Sequence, residues 1–289
     1  MDYRKKFVVE PGGKVQLAKI DPSYTGNHES HKKAKHEIRK HVERMDQLQY
    51  LLYADAGQSL LIVLQALDAA GKDGTIRHIF SGMNPQGTSV VAFKEPTRIE
   101  LAHDFLWRSH IPAPSKGQVV IYNRSYYENV LVVRVHKLVP RTVWLQYYEL
   151  INDFEKLLEL NGTRILKFYL HISPEEQLDR FKQRLDDKAR HWKISESDYT
   201  ERKLWPDYIA AYEDTFALTS TKRAPWYVIP ANHKWFRNLA VSQIIADTMA
   251  EMGLKLPPKH VDIADIRRKY HSAKVAQQTA NRGKAVGQT

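Results

Sequence analysis

The chain has 289 residues, and 44 Lys and Arg against 33 Asp and Glu give it a formal charge of +11. Cysteine is absent, which excludes a disulfide scaffold, a thiolate zinc site, an iron–sulfur cluster and a cysteine nucleophile. A hydrophobic fraction of 43% excludes global disorder, and the basic surplus asks for a polyanionic partner without saying which kind.

Residues 1–35 are polar and interrupted by Pro11, Gly12, Gly13, Pro22 and Gly26, and they read as an extended basic arm. The arm holds no apolar stretch long enough for the core of a signal peptide, so a cytoplasmic protein is expected. No apolar run approaches the ~20 residues that cross a bilayer, so a membrane partner is not expected. From Ile38 onward, Val42, Met45, Leu48 and Leu52 recur at steps of three or four, the spacing of an amphipathic helix that ends near Gly57.

Residues 59–65 form a short continuous apolar run, the mark of a strand buried on both faces. Residues 88–93, 118–122, 165–172 and 226–229 read as further buried strands. Segments of helical period separate them, one running from Val143 to Leu158 and closed by Asn161 and Gly162. This alternation predicts an α/β domain over residues 36–255, with a parallel sheet covered by helices on both sides. Pro257 and Pro258 then break the chain. A last short helix is expected over 261–270, and 271–289, which lack any acidic residue, read as a mobile tail, so 256–289 form a basic C-terminal extension.

The first strand leads into Asp68, Ala69, Ala70, Gly71, Lys72, Asp73, Gly74 and Thr75. A strand, a small-residue loop with Gly-Lys and then a helix is an arrangement in which backbone N–H groups surround phosphate oxygens while the lysine adds a positive charge. The strict G-x-x-x-x-G-K-[ST] pattern is not met: Ala66 stands at its first glycine and Asp73 at its Ser or Thr. Asp68 offers a carboxylate that would hold Mg²⁺ in place of the missing hydroxyl. The alternative is that Gly71 and Gly74 only shape a turn.

The third strand ends at Asn123 and Arg124, followed by Glu128, where a doubly wound sheet collects its ligands. Asn123 is a neutral and weaker metal ligand, which leaves Asp68 as the principal anchor. Arg180, Arg184 and Lys188 follow at steps of four and are expected to share one helix face, either aimed at an anion or simply solvated. Phe93 is a candidate to stack on a base, with burial in its strand as the alternative. The scattered histidines offer no zinc spacing, and aromatics do not alternate with basic residues as on a single-strand-binding sheet, so no specific nucleic acid is expected.

The Asp68 to Thr75 loop, the Asn123 to Glu128 element and the basic segment from Arg180 to Trp192, in this order, resemble those of the second family of polyphosphate kinases over roughly residues 35–255. Further similarity lies in Phe105 to Arg108, Lys116 with Gly117, Leu185 with Asp186, and Trp205. The resemblance implies a three-layer P-loop kinase fold like that of thymidylate kinase, with a five-stranded parallel sheet, a helical lid at about 180–205, and assembly as a homodimer or homotetramer. It implies phosphoryl transfer between inorganic polyphosphate and an adenine or guanine nucleotide, with Mg²⁺.

Residue by residue, it assigns Asp68, Lys72, Arg124 and Arg184 to catalysis. Residues 69–75, with Arg134, Arg180 and Lys188, would bind phosphates. Asn123, Glu128 and Phe93 would face the nucleotide, and Asp68 and Asn123 the metal. Asn123 and Glu128, where many members carry Asp and Asn, resemble a subgroup that phosphorylates both AMP and ADP. An ATP-dependent nucleoside or nucleotide kinase on the same fold remains the alternative enzyme, and a basic protein that binds nucleic acid or polyphosphate the non-enzymatic one.

Overall fold

The computed structural model describes residues 1–28 and 30–286. Its N-terminal segment is not an extended arm. Helix α1 (Tyr3–Phe7) is capped by the Asp2 carboxylate, which accepts from the amides of Arg4 and Lys5. Tyr3 stacks on Phe7, and both meet Phe236 edge-on, while Val9 and Leu17 are also buried. Isolated apolar residues between polar ones hide this anchoring from a reading of periodicity. Helix α2 (His31–Asp55) begins inside the expected arm and ends at Ala56 in a left-handed conformation.

Five strands follow: β1 (Ser59–Gln65), β2 (Thr88–Ala92), β3 (Val119–Asn123), β4 (Thr163–His171) and β5 (Trp226–Pro230). Their order is β2-β3-β1-β4-β5, and every pairing is parallel. All seven residues of β1 are buried, as a central strand requires. β2 corrects the expectation of burial: it is an edge strand with Ser89, Val90 and Ala92 exposed.

The helices α3 (Lys72–Ile79), α4 (Arg141–Leu160), α5 (Pro174–Asp186), α6 (Glu196–Lys203), α7 (Trp205–Thr219) and α8 (Lys234–Glu251) complete the layers. Side chains alternate across β1. Leu60, Ile62 and Leu64 pack in one core with α2 and α8, and Leu61 and Val63 in another with α4 and α7. Within the second core the Lys167 ammonium is completely buried, donating to Glu155 at 2.7 Å, the Thr219 carbonyl at 2.7 Å and the Tyr127 hydroxyl at 2.9 Å. Tyr126 and Tyr127 both donate to the same Glu155 carboxylate, at 2.8 and 2.7 Å. Every polar group in this cluster thus has a partner, as its low-dielectric surroundings demand.

The chain divides into two units, Met1–Lys255 and Leu256–Thr289. In the second, helix α9 (Ile263–Val286) replaces both the short expected helix and most of the expected mobile tail. Ala273, Ala276, Gln277 and Gln278 are strong helix formers, and the weak apolar pattern concealed them. Residues 287–289 of that tail lie outside the described residues. Among the described residues, no helix is long and apolar enough to cross a membrane.

Candidate active site

The connections leaving β1 and β4 run to opposite sides of the sheet, which opens a crevice at the carboxyl ends of the strands. The loop from Ala66 to Gly71 lies there, and α3 starts from it with Gly71 as N-cap at φ +102°. Four successive loop carbonyls are drawn back into the protein. Gln177 Nε2 donates to Asp68 O at 3.0 Å, and Arg180 Nη1 to Ala69 O and Ala70 O at 2.9 and 2.8 Å. The Thr75 amide and hydroxyl reach Gly71 O at 3.0 and 3.1 Å. A trans peptide points its C=O and N–H to opposite sides, so the carbonyl held at Ala70 turns the amide of Gly71 outward. With the first amides of α3, this makes a surface of N–H donors suited to phosphate oxygens.

Lys72 arches back over the loop, its ammonium donating to Ala66 O at 2.9 Å. Burial first, and then the neighbouring Arg124 guanidinium, pull Lys72 down to about 8, against the opposing pull of Asp68, Glu128 and Asp73. Among the described residues no carboxylate lies within ion-pair distance of Lys72, so its charge is available to an anion at the loop.

The end of β3 completes the site. Arg124 is left-handed at φ +62°, as is Ala69 at +63°, and non-glycine residues adopt this conformation only where the surroundings enforce it. Here the Arg124 amide donates to Leu64 O at 3.0 Å, and its guanidinium bridges Asp68 at 2.8 Å and Glu128 at 3.3 Å. Glu128 chiefly, and then Asp68 against the cost of burial, hold Arg124 well above the usual guanidinium range. Asn123 Nδ2 donates to Asp73 at 2.9 Å, and Lys193 reaches the other Asp73 oxygen at 3.3 Å, tying the segment after α5 to the first turn of α3. Burial raises Asp73, but these two partners outweigh it and the net direction is downward.

Asp68, Lys72, Asp73, Asn123, Arg124 and Glu128 therefore meet at one place, with residues 69–75 as its backbone. Other sequence candidates do not. Phe93 is 6% exposed and packs edge-to-face on Tyr122 at 4.7 Å, so it has no free face for a base. Arg134 is committed to Asp214 at 2.7 Å and lies over the Trp144 ring, anchoring α7 against α4. Arg180 is buried with its nitrogens spent on Glu176 and on the carbonyls of Ala69, Ala70, Ala231 and Asn232. It braces the loop from behind instead of touching phosphate. The expected comb is broken, because α5 ends at Asp186 and leaves the exposed Lys188 in a separate 3₁₀ segment (Lys188–Lys193). Arg184 pairs with Asp198 at 3.6 Å and donates to Lys193 O.

Residues that sequence reasoning missed also converge here. A cavity beside Asp68, Arg124 and Glu128 is lined by Glu201, Arg202 and Tyr208. Tyr208 donates to Glu201 at 2.7 Å, and Arg202 to Gln177 at 2.9 Å. Arg237, on α8 beneath the loop, is buried and donates to Ala70 O at 3.3 Å. A lone arginine between Phe236 and Leu239 in an apolar helix was the available signal.

The model of the family described as Polyphosphate kinase 2 matches residues 28–257. This chain belongs to the polyphosphate kinase 2 family. The chain is 48% identical over 254 residues to the AMP/ADP-polyphosphate phosphotransferase of Meiothermus ruber, covering 88% of this chain and 95% of that one. It is 44% identical to the ADP-polyphosphate phosphotransferase of Rhodopseudomonas palustris, over 88% and 92% of the two chains. The crystal structure of Polyphosphate Kinase 2 from Arthrobacter aurescens TC1 superposes with a TM-score of 0.88 at 40% identity, covering 91% and 95%. As a polyphosphate kinase 2 the protein is a phosphotransferase with a P-loop kinase fold.

Proposed function

We propose that this polyphosphate kinase 2 moves the terminal phosphoryl group of inorganic polyphosphate onto AMP and onto ADP, in the cytoplasm, with Mg²⁺. The observation that carries the reading is the convergence of Lys72, the outward loop amides and the Asp68–Arg124 pair at one strand-end crevice. The likeness to the Meiothermus ruber AMP/ADP-polyphosphate phosphotransferase, over 88% of this chain, supports AMP as well as ADP as acceptor.

Transfer between two phosphate anions needs alignment and charge neutralisation more than covalent help. In this reading the loop amides and Lys72 hold the oxygens of one phosphate. Arg124 holds the transferring group and is itself fixed by Asp68 and Glu128. Glu128, Arg202 and Tyr208 line the space for the acceptor nucleoside.

Asp68 suits Mg²⁺, which needs only one or two carboxylates when waters and phosphates fill its shell: Arg124 pairs with Oδ1, which leaves Oδ2 to the ion. Asn123 keeps Oδ1 for the same ion while its amide nitrogen bonds Asp73. Among the described residues there is no group of three or more carboxylate or histidine ligands that would hold a metal without substrate. When bound, Mg²⁺ supplies charge neutralisation at the phosphate oxygens. Assembly into a homodimer or homotetramer belongs to the same proposal, supported by the exposed apolar residues Val143, Leu150 and Leu157 along α4.

The test supplies AMP, ADP or GDP separately with Mg²⁺ and either polyphosphate or ATP as sole phosphoryl donor, and separates the nucleotides by chromatography. ADP from AMP and ATP from ADP are expected. Transfer that appears only with ATP as donor would instead favour an ATP-dependent nucleotide kinase.

A further inference from the structure

Beneath the phosphate loop lie two buried guanidiniums, Arg180 at 5% and Arg237 at 3% exposure. Both donate to one acceptor, the carbonyl of Ala70, at 2.8 and 3.3 Å. Arg180 has a carboxylate partner in Glu176 at 2.6 Å. Arg237 is paired with no carboxylate among the described residues. Its Nε and Nη2 share the neutral amide oxygen of Asn238, at 3.2 and 2.9 Å. The guanidinium lies so close beneath the loop that a Cβ on Gly71 would fall 2.2 Å from Nη1.

Burying an unpaired charge is costly, and a folded protein keeps one only where something offsets it. Burial first, and then Arg180, pull Arg237 down to about 9, which still leaves it charged at neutral pH. The peptide between Ala70 and Gly71 separates this charge from the face where phosphate binds. Its carbonyl points to Arg237 and its N–H points outward, so the guanidinium both aims the donor and polarises it.

We propose that Arg237 is a positioning residue for the phosphate donor, a buried cation whose countercharge is the polyphosphate seated on the other side of the Ala70–Gly71 peptide. The inference rests on the phosphate-loop reading above and adds to it a residue that does not touch the substrate. The free enzyme carries the cost of the unpaired charge, and binding of the phosphate chain relieves it. Polyphosphate is thereby favoured over a less charged donor.

Two variants test this with tripolyphosphate as probe, read by thermal shift, calorimetric binding, and KM for tripolyphosphate against KM for ADP. Asn238→Asp gives Arg237 a carboxylate at the same place, and Arg237→Met removes the charge. Asn238→Asp is expected to raise the melting temperature of the free enzyme and to weaken tripolyphosphate binding by about tenfold, the scale of a removed charge interaction. Arg237→Met is expected to weaken binding at least as much, with Arg237→Lys recovering part of the loss. In each variant the KM for ADP stays within about twofold, on the view that the charge acts on the donor side alone.

If Asn238→Asp binds tripolyphosphate as tightly as wild type, or if both KM values rise together, the role is only structural and the proposal falls. Should Arg237→Met fail to fold, the Asn238→Asp result decides alone. A wild type that shows no response to tripolyphosphate overturns the phosphate-loop reading itself, and this inference with it.

Discussion

Asp68 and Arg124, 56 positions apart, meet at 2.8 Å across the ends of neighbouring strands β1 and β3. The pair joins the acid of the β1 loop to the base of the β3 turn, so one contact sets both halves of the candidate site. Asp68 and Arg124 side chains are 34% and 38% exposed, and a pair this open contributes no more than about 1 kcal/mol to stability. Asp68→Asn should therefore change the urea midpoint little. Its turnover should fall by ~10²–10³, the usual cost of removing a group that acts on transition-state charge. Equilibrium unfolding and kcat on the same preparation check both parts.

Lys72 predicts a pH dependence. Its value in the free enzyme is about 8, against 10.5 for an ordinary lysine. Between those values the unfolded chain holds a proton that the folded chain has released, so this group's contribution to stability rises with pH through that window. Polyphosphate binding runs the other way, because the neutral amine no longer attracts phosphate. The kcat/KM for polyphosphate should decline above about pH 8, and Lys72→Arg should move that decline to higher pH. Profiles of the two proteins from pH 6 to about 10 show whether it moves.

Gly71 is required twice over. Its φ of +102° is strained for any L side chain, and a Cβ there would strike Arg237 Nη1. Gly71→Ala should cost about 2 kcal/mol or more in unfolding free energy, since left-handed strain alone amounts to ~1–3 kcal/mol. A rise in KM for polyphosphate should accompany it, because the displaced guanidinium would leave Ala70 O held by Arg180 alone.

The Lys167–Glu155 pair gives a prediction away from the crevice. Lys167→Met leaves Glu155 charged and buried without its cation, a change that costs about 3–5 kcal/mol. Glu155→Gln in the Lys167→Met background should recover much of that, because the amide oxygen still accepts from Tyr126 and Tyr127 without a charge. Denaturant midpoints of the single and double variants measure the recovery.

How much of this was legible in the sequence varied with the physical signal. The five strands announced themselves as short apolar runs, and Asp68, Lys72, Asn123 and Arg124 stood at their ends, where topology brings ligands. Arg180 was visible as a cation, but not its direction. Spacing places a side chain on a helix face without saying whether the face looks at solvent or at the carbonyls of Ala69 and Ala70. Arg134 failed the same way, since Asp214 lies 80 positions later. Phe93 resolved toward its bland alternative, core packing on Tyr122. Arg202 and Tyr208 reach the site through tertiary packing with no local motif to mark them, and Arg237 is marked locally by no more than its place in an apolar helix.

The most direct test of the account is ATP formation from ADP and polyphosphate, with Mg²⁺ and no other phosphate donor, followed by luminescence for wild type and Lys72→Ala. The account predicts steady ATP production by wild type. It predicts near-complete loss in a Lys72→Ala protein whose circular dichroism and unfolding midpoint match wild type. Unchanged turnover in Lys72→Ala would contradict the placement of the reaction at the end of β1.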